Sequence, residues 1–134
     1  MCVGNACRSQ MAEGFARAYG SDVITPASAG LSPAMSLPPL TRSVMLEKNI
    51  AVDDQFPKDI MMWNGVKFDI VVNISGYPLP SKIAPRWRLW NVADPIGLNA
   101  GIYRQVRDQI ETLVMKLVLE IRTGAPPEPT QTNP

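Results

Sequence analysis

Histidine is absent from this chain of 134 residues, and cysteine occurs only twice. Without histidine, proton transfer in any reaction falls to a carboxylate, and we expect no metal site. Two cysteines close together in one loop do not form a disulfide framework of the secreted type. No apolar run reaches the roughly 20 residues that cross a membrane, and no signal peptide is recognisable. We therefore expect a cytoplasmic protein with no membrane association.

Charge and composition are ordinary for a globular protein. The net charge of +1 gives no general attraction to nucleic acids or to anionic membranes, so we expect neither as a partner. The content of 46% hydrophobic and 19% charged residues fits one domain with a single core. We expect residues 1–124 to form this domain, and the proline-rich residues 125–134 to form a disordered tail.

Helical and strand patterns alternate along the chain. Helical spacing predicts three helices, over residues 8–19, 38–48 and 102–122, with a turn and a short helix within 53–63. Branched or near-continuous apolar stretches predict three strands, over residues 23–29, 68–74 and 87–92. This alternation predicts an α/β fold with three layers, in which a mostly parallel sheet carries helices on both faces.

The most informative stretch is Cys2-Val3-Gly4-Asn5-Ala6-Cys7-Arg8-Ser9, in which five residues separate a cysteine from an arginine. A small, glycine-containing loop before a helix can turn its amides inward, and the helix dipole adds positive potential. Such a loop would bind a tetrahedral oxyanion. The planar guanidinium of Arg8 would clamp two of its oxygens, and the same field would stabilise Cys2 as a nucleophilic thiolate. Alternatively, Cys2 and Cys7 are ordinary buried thiols in a helix-capping loop.

Individual loop residues have separate expected roles. Oxyanion binding is assigned to the consecutive residues Val3, Gly4, Asn5, Ala6, Cys7, Arg8 and Ser9. Ser9 would donate a hydrogen bond to the sulfur of Cys2. The short amide of Asn5 tolerates a left-handed backbone and can bond across the loop, so we expect structural support from it.

The segment Val3 to Phe15 resembles the active-site segment of the low-molecular-weight protein tyrosine phosphatase superfamily, and the arsenate reductases within it most closely. The turns Ser28-Ala29-Gly30 and Asp94-Pro95 stand at the places expected for that family, and the resemblance covers most of the chain. It implies in-line attack of Cys2 on phosphorus or arsenic, with Arg8 holding the developing charge. It also implies that Asp94 protonates the departing oxygen, although a turn-forming Asp-Pro pair is the alternative.

The resemblance leaves three functions open, none of which needs a bound cofactor. An arsenate reductase would depend on an external thiol, such as glutathione, mycothiol or glutaredoxin, or on Cys7, because Ser75 stands where thioredoxin-coupled reductases have cysteine. A phosphatase would hydrolyse phosphotyrosine or aryl phosphates, although Ile96-Gly97 replaces the aromatic residue usual after the Asp-Pro pair. The third function is binding of phosphate or arsenate without catalysis.

One part of the resembled fold has no counterpart here. In that fold a buried central strand leads directly into the catalytic cysteine, whereas only Met1 precedes Cys2. We therefore expect the first central strand to be missing or truncated, with a slot between its neighbours and a loosely held loop. Either the sequence is truncated or its start is misassigned, or another segment or chain fills the slot. Filling by a second copy would make a homo-oligomer.

Overall fold

The computed structural model describes residues 1–84 and 86–124, together with the backbone of residues 131–132. It contains helices together with a small sheet that includes a parallel strand pair, which confirms the predicted α/β fold. The helices are α1 (Arg8–Gly20), α2 (Pro39–Leu46) and α3 (Ala100–Thr123), with a 3-10 turn at Ile60–Trp63. The strands are β1 (Val72–Asn73), β2 (Arg86–Leu89) and β3 (Gln131–Thr132). No described helix has the length and apolar character needed to cross a membrane.

The three strands form one sheet in the order β1-β2-β3. β1 and β2 are parallel, with Val72 opposite Arg88. β3 lies antiparallel to β2, with Thr132 opposite Arg86. Thus two residues of the predicted tail are a strand, whereas the rest of that tail lies outside the described residues.

The first two residues of the chain extend this sheet beyond β1. The amino group of Met1 donates to Val72 O at 2.9 Å, and Ile74 N donates to Met1 O at 2.7 Å. On the other side, Cys2 N donates to Ala29 O at 3.3 Å, and Leu31 N donates to Cys2 O at 3.2 Å. Met1 and Cys2 therefore lie between two parallel neighbours, as a very short central strand.

Two predicted strands are corrected by the structure. Residues 23–29 form no regular strand, and the ladder on that side is reduced to the bridges that Gly30 makes with Cys2 and Asp59. The predicted strand over residues 68–74 is paired only at Val72–Asn73. The reason is the length of their shared partner. Because only Met1 and Cys2 lie between them, most of each segment has no neighbouring backbone to pair with on that side.

Helix α3 provides the main helical surface of the core. The side chain of Asn99 accepts a hydrogen bond from Ile102 N at 3.1 Å, and Gly124 ends the helix with a φ of 65°. Its buried face packs against α1, where Met11 and Phe15 are fully buried. The buried apolar residues of α3 recur at helical spacing and are Tyr103, Val106, Ile110, Val114 and Val118.

Candidate active site

The loop of residues 2–7 leaves the sheet at Cys2 and enters α1 at Arg8. Every backbone carbonyl of this loop accepts a hydrogen bond. The donors to the carbonyls of residues 2 to 7 are, in order, Leu31 N, Ser32 N, Ala34 N, Gln10 Nε2, Thr41 Oγ1 and Met11 N. The predicted looseness of the loop is therefore wrong, because hydrogen bonds from later segments hold it.

The backbone amides of the same loop differ from its carbonyls in their hydrogen bonding. Among the described residues, the structure records no hydrogen bond donated by the amides of residues 3–9. Buried N–H groups are seldom left unpaired, and a run of them at the start of a helix forms an anion-binding site. Of these residues, Val3, Gly4, Ala6, Cys7 and Arg8 border a cavity of about 210 Å³, whereas Asn5 and Ser9 are not part of its lining. Its lining consists of Cys2, Val3, Gly4, Ala6, Cys7, Arg8, Ala34, Asp94 and Ile96.

The sulfur of Cys2 lies in the wall of this cavity and has one side-chain partner. Its Sγ is 2.8 Å from Ser9 Oγ. Asn5 Nδ2 donates to the same Ser9 oxygen at 2.7 Å, which leaves the hydroxyl hydrogen of Ser9 free to point at the sulfur. The contact is therefore the hydrogen bond to sulfur that was predicted for Ser9.

Asn5 joins the loop to two other segments. Its φ of 48° confirms the predicted left-handed backbone. Its side-chain oxygen accepts hydrogen bonds from Lys58 N at 2.8 Å and from Gln10 Nε2 at 3.1 Å. Because Asn5 is fully buried, loss of this oxygen would leave the amide of Lys58 without its acceptor, whereas Gln10 Nε2 would keep the carbonyls of Asn5 and Phe56.

Arg8 divides its donors between the sheet and the cavity. Its Nη1 donates to Ile74 O at 2.6 Å and to Val92 O at 3.0 Å, which uses both hydrogens of that nitrogen. Its Nη2 lies 3.4 Å from Asp94 Oδ2. The guanidinium is therefore fixed by the sheet through one nitrogen, and its opposite edge is left for an anion.

Asp94 stands at the rim of the cavity, as predicted. Its side chain is 41% exposed, compared with 7% for Arg8. Its Oδ1 accepts a hydrogen bond from Ile96 N at 3.2 Å, the Asx turn expected for an Asp-Pro pair. The turn and the catalytic interpretations of Asp94 are thus compatible, because the second carboxylate oxygen is the one that faces Arg8.

Cys7 is as buried as Cys2, at 3% and 2% exposed, but its sulfur has a different partner. Its Sγ lies 3.5 Å from Tyr103 Oη. Burial is the main reason that the pKa of the Cys7 thiol is raised above its ordinary value, although hydrogen bonds from Tyr103 and Thr41 oppose it. A raised pKa keeps Cys7 as a neutral thiol at physiological pH, and a thiol is a poor nucleophile.

Several supporting residues were not identified from the sequence. Gln10 and Lys58 hold Asn5, and the carbonyls of Ile74 and Val92 hold Arg8. The sequence did contain a signal for the two carbonyls. Ile74 and Val92 end apolar stretches that were predicted as strands, and the C-terminal ends of parallel strands line the crevice of a sheet. Gln10 and Lys58 carry no comparable signal.

Gly30 is a further residue whose role the sequence did not reveal. A Cβ on Gly30 would lie 2.6 Å from Val3 O and 2.8 Å from Asn5 N. Both neighbours are backbone atoms of the loop, so they could not avoid a side chain by rotating. The chain therefore requires glycine here for the close approach of the 29–31 segment.

Ser75 does not lie among the residues that line the cavity. Its hydroxyl donates to Asn73 Oδ1 at 2.6 Å and accepts from Tyr77 N at 3.0 Å. Among the residues that the structure describes, no group of histidine, cysteine, aspartate or glutamate could hold a metal ion.

Comparison with known proteins decides the family. Residues 1–79 match the family described as low molecular weight phosphotyrosine protein phosphatase. The chain belongs to this family. A glutaredoxin arsenate reductase of Synechocystis sp. is 32% identical over 127 residues, which cover 90% of this chain and 95% of that relative. The predicted membership of the superfamily, near its arsenate reductase branch, is confirmed.

Solved structures agree with this placement. A structure described as an arsenate reductase in the phosphate binding state superposes with a TM-score of 0.82 at 32% identity, covering 90% of this chain and 94% of the other. A tyrosine phosphatase of Erwinia amylovora gives a TM-score of 0.75 at 22% identity, covering 90% of this chain and 89% of its own. The second likeness shows the fold alone.

Proposed function

We propose that this member of the family is a cysteine-dependent arsenate reductase that takes its electrons from an external thiol. The observation that carries the proposal is the cavity at Cys2, where a sulfur, loop amides with no recorded hydrogen bond and the guanidinium of Arg8 border one space. A tetrahedral oxyanion matches that set of donors. The arsenate reductases among the relatives favour arsenic over phosphorus as the centre attacked.

The first step is attack of the Cys2 thiolate on the arsenic(V) of arsenate. A sulfur–arsenic bond forms as an arsenic–oxygen bond breaks, and the departing oxygen leaves as water after Asp94 gives it a proton. The amides of residues 3–9 and the guanidinium of Arg8 stabilise the negative charge on the remaining oxygens. Asp94 suits the donor role by its position, because its carboxyl lies at the rim of the cavity, where the departing oxygen would leave.

The second step moves two electrons to arsenic. An external thiolate attacks the sulfur of Cys2, a disulfide bond forms, and the sulfur–arsenic bond breaks with its electron pair going to arsenic. Arsenic(III) leaves as arsenite. A second thiol then reduces the mixed disulfide and restores Cys2. The overall reaction consumes arsenate and two thiols and yields arsenite, one disulfide and water.

The surroundings of the two cysteines favour an external thiol over Cys7 as the attacking group. The chain has no third cysteine, and Cys7 is a buried neutral thiol in contact with Tyr103. A buried neutral thiol attacks slowly. Glutaredoxin is the preferred reductant because it appears in the name of the Synechocystis relative, with glutathione and mycothiol as the other candidates. All three belong to the cytoplasm, which stays a prediction for this chain.

A phosphatase is the second candidate, because the family description and the same cavity suit a phosphate ester. After attack by Cys2, Asp94 would activate water against the phosphocysteine. Ile96, half exposed at the cavity, offers an aliphatic wall where an aryl ring would stack better on an aromatic one. The third candidate is oxyanion binding without turnover.

One set of assays separates these functions. Purified protein is given arsenate with glutathione and glutaredoxin, and thiol oxidation is followed; p-nitrophenyl phosphate hydrolysis is followed in parallel. We expect arsenate-dependent thiol oxidation that Cys2→Ser abolishes and that stays measurable in Cys7→Ser. Ester hydrolysis lost in Cys2→Ser, without thiol oxidation, would establish the phosphatase instead. A rise in melting temperature with phosphate but no turnover in either assay would establish a binding protein.

A further inference from the structure

Three segments without charge surround the oxyanion cavity at Cys2. We call them the rim segments, and they are residues 31–40, 74–81 and 95–103. None of them contains aspartate, glutamate, lysine or arginine, although the chain has 13 basic and 12 acidic residues. The charged residues that line the cavity are Arg8, which is buried, and Asp94. The surface around the cavity therefore carries almost no charge.

Contacts with the loop and with Arg8 place the rim segments at the cavity. In the first segment, Ser32 N and Ala34 N donate to loop carbonyls at 2.8 Å and 2.9 Å, and Ala34 lines the cavity. The second segment begins at Ile74, whose carbonyl accepts a hydrogen bond from Arg8. In the third segment, Ile96 lines the cavity. All three segments therefore lie at the edge of the sheet where the parallel strands end.

Large apolar side chains of the rim segments are exposed to solvent. Met35, which directly follows Ala34, is fully exposed, and Tyr77, Ile96 and Leu98 are each at least half exposed. Exposed apolar side chains that lie together mark interaction surfaces. Methionine and aromatic residues are enriched in the cores of protein interfaces, and charged residues are depleted there. The rim segments have this composition.

The scarcity of charge bears on which thiol can approach the site. Glutathione carries two carboxylates and one ammonium group, so its binding requires complementary charges on the protein. The first charged residue after each rim segment is a cation, but Arg42 is paired with Asp53 and Arg104 with Glu47. In the part of the chain that the structure describes, Lys82 alone of these three cations has no recorded ion pair. The rim therefore suits an uncharged protein surface better than a small charged thiol.

We propose that an apolar rim, formed by Met35, Tyr77, Ile96 and Leu98, is the docking surface for a protein that carries the reducing thiol. The inference rests on the proposed reduction of Cys2 by an external thiol, and it adds the class of the reductant and the surface that it contacts. The partner presents its cysteine within an uncharged, apolar surface, because burial of an unpaired charge against this rim would be unfavourable. Glutathione alone is then a poor reductant of Cys2.

Disulfide exchange without arsenate tests the docking separately from the reductase reaction. The probe is a glutaredoxin with one remaining cysteine, held as a mixed disulfide with thionitrobenzoate. The Cys2 thiolate attacks the glutaredoxin sulfur, a disulfide joins the two proteins, and thionitrobenzoate leaves with the electron pair and is measured by its absorbance. Glutathione held in the same mixed disulfide is the small probe. Reaction of each probe with N-acetylcysteine corrects for its intrinsic reactivity, and mass spectrometry identifies the cysteine that has reacted.

The expected result is preference for the protein probe. After the correction, Cys2 should react about tenfold faster or more with glutaredoxin than with glutathione, and the rate should saturate with glutaredoxin concentration. High salt should change this rate little, because the contact is apolar.

Substitutions at the rim test where the partner docks. Met35→Lys and Leu98→Lys place a charge where docking would bury it, so each should slow the glutaredoxin probe about tenfold without slowing the glutathione probe. Met35→Leu keeps an apolar side chain and should keep the rate. Leu119→Lys is the matched control, because Leu119 is an exposed residue of α3 outside the rim segments. Alkylation of Cys2 by iodoacetamide should stay rapid in all four variants.

Three results would overturn the proposal. The first is an equal corrected rate for the two probes, because a small thiol would then need no docking surface. The second is an equal glutaredoxin rate in Met35→Lys, Leu98→Lys and Leu119→Lys. The third is weaker hydrolysis of a phosphotyrosine peptide by the rim variants with unchanged glutaredoxin exchange, which would assign the rim to a phosphoprotein. Failure of the proposed function is a different result, the absence of arsenate-dependent thiol oxidation in the wild-type protein.

Discussion

The two sides of the Met1–Cys2 segment differ in how their backbone groups are satisfied. Toward α1, the carbonyls of residues 2–7 all accept hydrogen bonds, whereas among the described residues no hydrogen bond is recorded for the amides of residues 3–9. On the opposite side, the described structure records no hydrogen bond for the backbone groups of Thr25, Ala27 and Ile70, donors and acceptors alike. A run of free donors alone forms an anion site. Only the side toward α1 therefore has the arrangement that binds an oxyanion.

The largest effect is expected at the rim of the oxyanion cavity. Asp94→Asn removes the proposed proton donor, and we expect turnover to fall about 10²- to 10⁴-fold while phosphate affinity is retained. Steady-state kinetics and phosphate titration measure the two quantities. Asp53→Asn is the control, because Asp53 is an exposed carboxylate that pairs with Arg42 outside the cavity. Equal kinetics in the two variants would remove Asp94 from the reaction.

Gly30→Ala tests whether the close packing of the 29–31 segment against the loop holds the loop in place. The added Cβ would displace Val3 O and Asn5 N, and a displacement of about 1 Å can cost roughly a hundredfold in rate. Gly4→Ala is the matched comparison, since its Cβ would meet no atom closer than 3.8 Å. We expect kcat to fall much further in Gly30→Ala. The account of the loop is contradicted if Gly4→Ala is equally impaired.

Asn5→Ala should have a smaller effect on the same loop. The buried amide of Lys58 loses its acceptor, which costs about 1–3 kcal/mol if it stays unsatisfied, while Gln10 Nε2 keeps the carbonyls of Asn5 and Phe56. We expect a lower free energy of unfolding in urea and about tenfold weaker phosphate binding, with Cys2 still open to alkylation. Asn91→Ala, at an exposed position, should change neither. Unchanged phosphate affinity in Asn5→Ala would show that the cradle does not need this side chain.

The smallest effect concerns stability at acid pH, away from the oxyanion cavity. Hydrogen bonds from Arg104 and then Arg107 lower the pKa of Glu47 to about 2. A carboxyl group whose pKa is lower in the folded than in the unfolded protein stabilises the fold at pH values above its unfolded pKa of about 4.3. This contribution is lost as the pH falls from about 4.3 toward 2. Because Glu47 is 41% exposed, the effect should be modest.

Melting temperatures measured between pH 6 and pH 2 check this contribution. Between pH 6 and pH 2, the melting temperature should fall less in Glu47→Gln than in the wild type. Superimposable pH profiles for Glu47→Gln and the wild type would show that the ion pairs with α3 contribute nothing to stability.

Locally encoded features were predictable from the sequence. The loop and α1 follow from one short stretch, and the spacing of apolar residues in α3 gave its position within two residues at the start and one at the end. The left-handed backbone of Asn5 could also be predicted, because asparagine tolerates it without any distant partner.

Features that depend on distant partners were not predictable in the same way. The apolar residues 68–74 have strand character, but a strand needs a neighbour, and only Met1 and Cys2 are present beside it. Lys58 reaches Asn5 across more than 50 positions of sequence. The need for glycine at position 30 arises only from the approach of the loop. No local pattern encodes these contacts.

Alkylation resolved by residue tests the central claim most directly. The protein is treated with iodoacetamide over a range of pH, with and without phosphate or arsenate, and mass spectrometry follows Cys2 and Cys7 separately. We predict that Cys2 reacts rapidly at neutral pH, that either oxyanion protects it in a saturable manner, and that Cys7 reacts only after unfolding. Equal rates at the two cysteines, or a Cys2 rate that saturating oxyanion leaves unchanged, would contradict the account.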